Sequence, residues 1–303
     1  MDLKSLFIDV PEGHARYGVV GCGIPYSLSP AMHNAAIARF GLKAAYRKID
    51  IPESEWGSFL AQKDFLDGFN ITNPFKERAQ EIGSGPSGVE WGFVGAVNTA
   101  HRKSLWVVTN TDVEGFRSDA ESHGIDFGER NILILGAGGA ARAVVGSFFL
   151  KNRPFPKSVT VWNRHSRRAE EMVGGFPLGF GAVRRLNLRV ARSETDLAFR
   201  SADVVINATR AGQNPGDPPP LDPANLRADQ AVYDMVYHRE TELLKAARAK
   251  GCLAVGGLGM LVNQGALAFD LWFGEEPKKL KYDPLELRRV MREAAQNAKK
   301  ETL

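Results

Sequence analysis

Residues 131–142 read Asn-Ile-Leu-Ile-Leu-Gly-Ala-Gly-Gly-Ala-Ala-Arg, and no other stretch of the 303-residue chain constrains its fold as strongly. The apolar run through Leu135 has the composition of a strand covered on both faces. It enters a glycine-rich turn and then an Ala/Val-rich helix reaching to about Leu150. A strand that turns through glycines into a helix N-terminus suits a dinucleotide pyrophosphate, because backbone N–H groups can approach the phosphates and the helix dipole favours their charge. Gly136, Ala137, Gly138, Gly139 and Ala140 form this candidate cradle, and Ala141 fills the last position of the G-x-G-x-x-G/A pattern. Glycines alone would also fit a plain strand–helix turn; it is the buried strand before them and the Ala-rich helix after them that favour the cradle.

Further strands are expected over 159–162, 202–207 and 231–234, which makes this half a doubly wound α/β unit. The Pro-rich stretch 214–220 is a loop, since proline cannot serve a central strand. The strand after the cradle ends Trp162-Asn163-Arg164-His165-Ser166-Arg167-Arg168, with no carboxylate before Glu170. An NAD site usually places an acidic residue there for the ribose hydroxyl. Arg164 and Arg168 instead suit a 2′-phosphate and an adenine face, so NADP is the expected cofactor.

The first hundred residues also alternate. Strands are expected over 17–21, 45–50 and 67–72, with a helix from about Ala31 to Phe40 that Ser29-Pro30 starts. This pattern implies a parallel sheet with crossover helices. Polar residues cluster between the apolar runs at Ser27-Leu-Ser29, Asn70-Ile-Thr72-Asn-Pro-Phe-Lys76, Asn98-Thr99 and Asn110-Thr-Asp112. Paired hydroxyls suit a carboxylate, Asn and Thr suit a hydroxylated ring, and Lys76 with Asp112 could handle a proton. Each cluster alone also reads as a turn, a helix cap or a surface residue.

Composition narrows the class. The chain carries 44% hydrophobic and 24% charged residues, as in an ordinary folded enzyme, and its length suggests two domains. The net charge of +4 arises from 39 basic against 35 acidic residues, interleaved along the chain. This gives little support to nucleic-acid binding, which would require a basic face with interleaved aromatics. Cys22 and Cys252 are too few for a disulfide framework or zinc site, and both are expected to be small buried thiols. The first residues lack the apolar core of a signal peptide, and no run is long enough to span a membrane, so a soluble cytoplasmic chain is expected. The charged stretch from about Asp283 is expected to form a solvated amphipathic helix.

Taken in order, Tyr26-Ser-Leu-Ser-Pro30, Asn70–Lys76, Gly95-Ala-Val-Asn-Thr99, Asn110-Thr-Asp112, Gly136–Ala141, Asn163-Arg164, Asn207-Ala-Thr209, Tyr233-Asp-Met-Val-Tyr237 and Gly257-Leu-Gly-Met-Leu-Val-Asn-Gln264 resemble the shikimate dehydrogenase family. The resemblance implies NADPH-dependent, reversible reduction of 3-dehydroshikimate to shikimate, on the route to chorismate and the aromatic amino acids. It implies Lys76 and Asp112 as the catalytic pair. Ser27 and Ser29 would hold the substrate carboxylate, and Thr72, Asn98, Tyr237 and Gln264 its ring and hydroxyls. Gly136 to Ala140 would hold the pyrophosphate, and Asn163, Arg164 and Arg168 the adenosine 2′-phosphate. Thr209, Met235 and Gly257 would complete the cofactor site, the last two beside the nicotinamide.

The fold implied is α/β, with an N-terminal substrate domain on a mostly parallel sheet, a Rossmann-like NADP domain and C-terminal helices returning to the first domain. Boundaries are expected at 1–111 and 258–303 for the substrate domain and 112–257 for the NADP domain. Small-molecule substrate, no nucleic acid, no membrane, no metal, and a monomer or homodimer are expected. Departures from the family pattern fall at Asn73, His165, Arg210 and Gln213. A quinate/shikimate dehydrogenase with relaxed cofactor use is the nearest alternative, but relatives favouring quinate often carry Thr at the second serine and an acid in place of Asn-Arg, where this chain has Ser29 and Arg164. A non-catalytic NADP sensor on the same scaffold would have no use for Lys76 and Asp112.

Overall fold

The computed structural model describes residues 2–83, 94–176, 186–194, 196–274 and 281–302. The chain divides into two compact units: Met1–Gly92, Ala96–Thr111 and Val262–Leu303 form the first, and Phe93–Gly95 with Asp112–Leu261 the second.

The first unit holds strands β1 (Ala15–Gly21), β2 (Ala44–Asp50), β3 (Gly68–Ile71), β4 (Thr99–Arg102) and β5 (Trp106–Thr109), with helices α1 (Ser29–Arg39) and α2 (Trp56–Gln62). The sheet order is β2-β1-β3-β4-β5. The first three strands are parallel, as the alternating pattern implies, whereas β4 and β5 run antiparallel as a hairpin. Only Lys103, Ser104 and Leu105 separate those two strands, too few for a crossover, so the sheet is mixed. One face packs Val20, Ile49, Phe69 and Ile71 on Trp56 and Phe59. On the other, Tyr17 lies 4.8 Å from Trp272 and His33 stacks on Tyr46 at 4.3 Å.

The second unit contains α3 (Asp112–Ser122), β6 (Asn131–Leu135), α4 (Gly139–Ser147), β7 (Ser158–Trp162), α5 (Ser166–Gly174), β8 (Leu188–Val190), α6 (Leu197–Ser201), β9 (Val204–Asn207), β10 (Ala231–Asp234), α7 (Glu242–Ala249) and β11 (Leu253–Gly256). Its sheet is parallel throughout, in the order β11-β10-β9-β6-β7-β8. The chain runs outward from β6 to one edge and then back past β6 to the other, the doubly wound arrangement. Ile132 and Ile134 face a core with α3, α4 and α5, while Leu133 and Leu135 face one with α6 and α7. This two-sided burial is why β6 reads as an unbroken apolar run.

Helix α8 (Leu258–Phe269) begins in the second unit and carries the chain back into the first at Val262. The final helix, α9 (Pro284–Thr302), packs on α1. No helix among the described residues is long and apolar enough to cross a membrane. Cys252 is buried as expected, but Cys22 is partly exposed, because it lies past the last residue of β1, where sheet cover ends.

Candidate active site

In the first unit the polar segments gather at one sheet edge. Gly21 of β1 pairs with Asp50, Val20 with Ile71, and Asn70 with Thr99, so the ends of β1, β2 and β3 meet the start of β4. The Asp50 carboxylate accepts from the Gly23 and Ile24 N–H groups at 2.7 and 3.0 Å and thereby pins the loop leading to the serines. Ser27 donates its N–H to Ile24 O, and Ser29 is buried as the first residue of α1. A Cβ on Gly21 would lie 2.5 Å from Thr72 Cγ2, so glycine is what lets Thr72 approach this loop.

Asn98 is the hub of the unit. Its Oδ1 accepts from Thr111 N–H at 2.7 Å and from the Thr99 hydroxyl at 3.0 Å. Its Nδ2 donates to Thr111 Oγ1 at 3.0 Å and to Gln264 Oε1 on α8 at 3.3 Å. Asn70 extends the network, donating to Thr99 Oγ1 at 3.0 Å and accepting from the Tyr46 hydroxyl at 2.7 Å. Lys76 O accepts from Val97 N–H at 2.8 Å, which brings the lysine backbone beside the segment leading into Asn98. The supporting roles of Tyr46, Asp50 and Thr111 are not apparent from sequence, although Tyr46 lies in β2, Asp50 ends it and Thr111 sits in the short polar segment between β5 and α3.

Asp112 follows Thr111 directly, opens α3 and is buried. It belongs to the second unit with Tyr237, whereas Lys76, Ser27, Ser29, Thr72, Asn98 and Gln264 belong to the first.

The second unit aligns the candidate cofactor residues. Leu135 pairs with both Trp162 and Asn207, and Asp234 pairs with both Asn207 and Gly256. Five parallel strands therefore end flush, and Asn163, Gly136, Ala208, Met235 and Gly257 are the next residue out along one carboxyl edge. Ligands bind at this edge in open α/β sheets. Gly136 has φ +110°, and a Cβ there would meet Ala208 O at 2.9 Å and Thr209 Cγ2 at 3.2 Å. Gly138 precedes α4 and would direct a Cβ into open space. Gly257 lies flat against Met235, with a hypothetical Cβ 2.7 Å from Met235 C.

At the end of β7, Asn163 Nδ2 donates to His165 O at 3.0 Å, and Arg164 and Arg168 are exposed. Arg167 pairs with Glu171 at 2.8 Å; among the described residues, Arg164 and Arg168 enter no ion pair. Two uncommitted guanidinium groups beside a glycine cradle fit a dinucleotide that carries a 2′-phosphate better than one that lacks it. Among the described residues, no group of His, Cys, Asp and Glu side chains could hold a metal ion.

A family model for the shikimate dehydrogenase substrate binding domain matches residues 19–100, and one for the shikimate 5'-dehydrogenase C-terminal domain matches residues 257–279. The chain is 39% identical over 298 residues to the shikimate dehydrogenase (NADP(+)) of Methanopyrus kandleri, covering 96% of this chain and 98% of that one. Its fold is similar to that of shikimate 5-dehydrogenase from Thermus thermophilus, solved with NADP(H) and shikimate, at TM-score 0.75 and 34% identity, with 94% and 99% of the two chains covered. Quinate dehydrogenase from Corynebacterium glutamicum, solved with NAD, gives TM-score 0.74 and 30% identity over 91% and 98%. Family models at both ends of the match, and relatives alike over nearly the whole chain, place it: the chain belongs to the shikimate dehydrogenase family.

Proposed function

We propose that this chain is an NADP-dependent shikimate dehydrogenase that reversibly reduces 3-dehydroshikimate to shikimate in aromatic amino-acid biosynthesis. The observation that carries the reading is the flush carboxyl edge of the second sheet, which lines up the glycine cradle, Asn163, Met235 and Gly257 beside Arg164. The first unit is then the substrate domain. When bound, NADPH supplies the hydride that reduces a ring ketone. Gly136 to Ala140 hold its pyrophosphate, Asn163, Arg164 and Arg168 its 2′-phosphate, and Thr209, Met235 and Gly257 complete its site.

The residues of the chain do the rest. Ser27 and Ser29 donate their hydroxyls to the substrate carboxylate and orient it. Thr72, Asn98, Tyr237 and Gln264 take the ring and its hydroxyls. The reduced oxygen gains a proton, and Lys76 Nζ holds that proton or stabilises the developing charge while Asp112 orients the substrate. In the reverse direction Lys76 takes the proton back. The two free thiols fit a reducing, cytoplasmic compartment, and the enzyme acts as a monomer or homodimer.

The test is Lys76→Ala. Loss of a positioned proton-handling group lowers kcat by roughly 100- to 10,000-fold, with shikimate KM nearly unchanged. A kcat within a few-fold of wild type removes Lys76 from this role.

A further inference from the structure

Asp234 ends β10 with its side chain fully buried, and the reaction as described does not use it. Three donors converge on its carboxylate. Oδ1 accepts from Asn207 Nδ2 at 2.9 Å and from Val236 N–H at 3.1 Å, and Oδ2 accepts from the Thr241 hydroxyl at 2.6 Å. An ionised carboxylate only accepts, so together with Ala211 O, which accepts from the same Nδ2 at 3.2 Å, it sets which way round the Asn207 amide lies. With Nδ2 facing Asp234, Asn207 Oδ1 faces Thr209 and accepts its N–H at 3.0 Å and its hydroxyl at 2.6 Å. Thr209 Oγ1 in turn accepts from Ala211 N–H at 3.0 Å, which closes the turn after β9.

The same carboxylate controls the neighbouring loop. Met235 donates its N–H to Asn207 O at 3.0 Å, and Val236 is held by Asp234 itself. Thr241 caps α7 by accepting from Leu244 N–H at 3.2 Å, and its Cγ2 lies where a Cβ on Gly212 would come within 2.8 Å. Gly212 has φ +93°, so this tight approach requires glycine. His238 Nε2 completes the link at 2.8 Å from Gln213 O.

We propose that Asp234 is a positioning residue for the cofactor site, joining the turn after β9 to the segment after β10 so that Thr209 and Met235 are presented as one rigid edge. The proposal rests on reading the second unit as the NADP site. Burial raises the carboxyl to about pH 6 despite its three hydrogen bonds, so at pH 7 it stands chiefly as the acceptor the network requires.

Asp234→Ala, Asp234→Asn, Thr241→Val and Thr241→Ser are compared with wild type in the full-length enzyme, by NADP titration calorimetry and steady-state kinetics. Asp234→Ala leaves Asn207 Nδ2 with Ala211 O alone, at 3.2 Å, and the Thr241 hydroxyl buried without its carboxylate acceptor, and raises NADP Kd and KM by about tenfold or more. Shikimate KM moves far less, and kcat falls by less than the NADP KM rises. Asp234→Asn keeps an oxygen towards Asn207 Nδ2 and recovers most of the affinity. Thr241→Val removes one donor and raises NADP KM by about threefold, which Thr241→Ser reverses; this pair decides the matter if Asp234→Ala does not fold. NADP affinity unchanged in the folded variants, or kcat and both KM values altered together, overturns the role of Asp234. Absence of NADP binding in wild type overturns the underlying reading instead, and the proposal with it.

Discussion

Asn98 donates its side-chain amide to Gln264 Oε1 at 3.3 Å, joining two residues 166 positions apart in sequence. The bond ties α8 to the start of β4 at the point where the chain re-enters the first unit. Replacing Asn98 by Leu would leave the Thr111 N–H without an acceptor and the Thr99 hydroxyl with only Thr111 Oγ1 at 3.3 Å, and a buried group left unsatisfied costs about 1–3 kcal/mol. A clear fall in melting temperature is therefore expected, together with a large rise in shikimate KM. Gln264→Leu removes a proposed ligand of the substrate without emptying the hub. It is expected to raise shikimate KM by about tenfold with a smaller melting shift, about the effect of one lost hydrogen bond. Thermal melts alongside steady-state kinetics check both.

Arg164 and Arg168 account for NADP preference if they hold the 2′-phosphate. Hydrogen bonds to charged groups contribute about 1.5–3 kcal/mol each, so Arg164→Ala is expected to raise NADP KM by roughly 10- to 150-fold. NAD, which lacks that phosphate, should be affected little. Arg168→Ala should act in the same direction, and added salt should weaken NADP in wild type more than in the double variant. Equal losses for both cofactors would remove the pair from this role.

His33 makes acid stability measurable. The ring is fully buried against Tyr46, neither nitrogen has a hydrogen-bond partner among the described residues, and burial pulls its pKa from 6.5 down to about 3. The folded protein keeps His33 neutral, while the unfolded chain binds a proton below about pH 6.5. Stability is therefore lost as pH falls from about 6.5 towards 3, by at most about 1.4 kcal/mol per pH unit from this group. Asp234 acts in the opposite sense: its folded value of about 6 exceeds the ordinary 3.8, so its burial cost is relieved as pH falls between them. The difference between wild type and His33→Phe isolates the histidine. Denaturant titrations from pH 7 to 4 should show a shallower acid loss in the variant; parallel curves would contradict the assignment.

Much of this fold is legible in the sequence, for a physical reason. Strands buried on both faces must be apolar throughout, so Ile132–Leu135 and Val204–Ile206 announce themselves, and the glycine turn after Leu135 reports its own close approach to Ala208. Strand β8, Leu188–Val190, is short and only half-buried, and it leaves no comparable signal. The direction of β4 is equally hidden, because a short strand such as Thr-Ala-His-Arg carries no mark of parallel or antiparallel pairing.

The candidate site residues stand out as uncommon polar groups at strand ends, but what supports them does not. The hub role of Asn98, the pin made by Asp50 and the acceptor role of Asp234 exist only once register brings distant strand ends into line. His33 lies within an Ala-rich helix, and its burial follows from aromatic partners on β2 and near residue 272 that local sequence does not reveal.

Initial rates of oxidation of shikimate and of quinate, each measured with NADP and with NAD, decide the proposed activity. Shikimate with NADP is expected to have the highest kcat/KM of the four combinations, and replacing NADP by NAD to cost at least about tenfold, as for a lost charged contact. Preference for quinate with NAD would contradict that activity, as would the absence of turnover in all four.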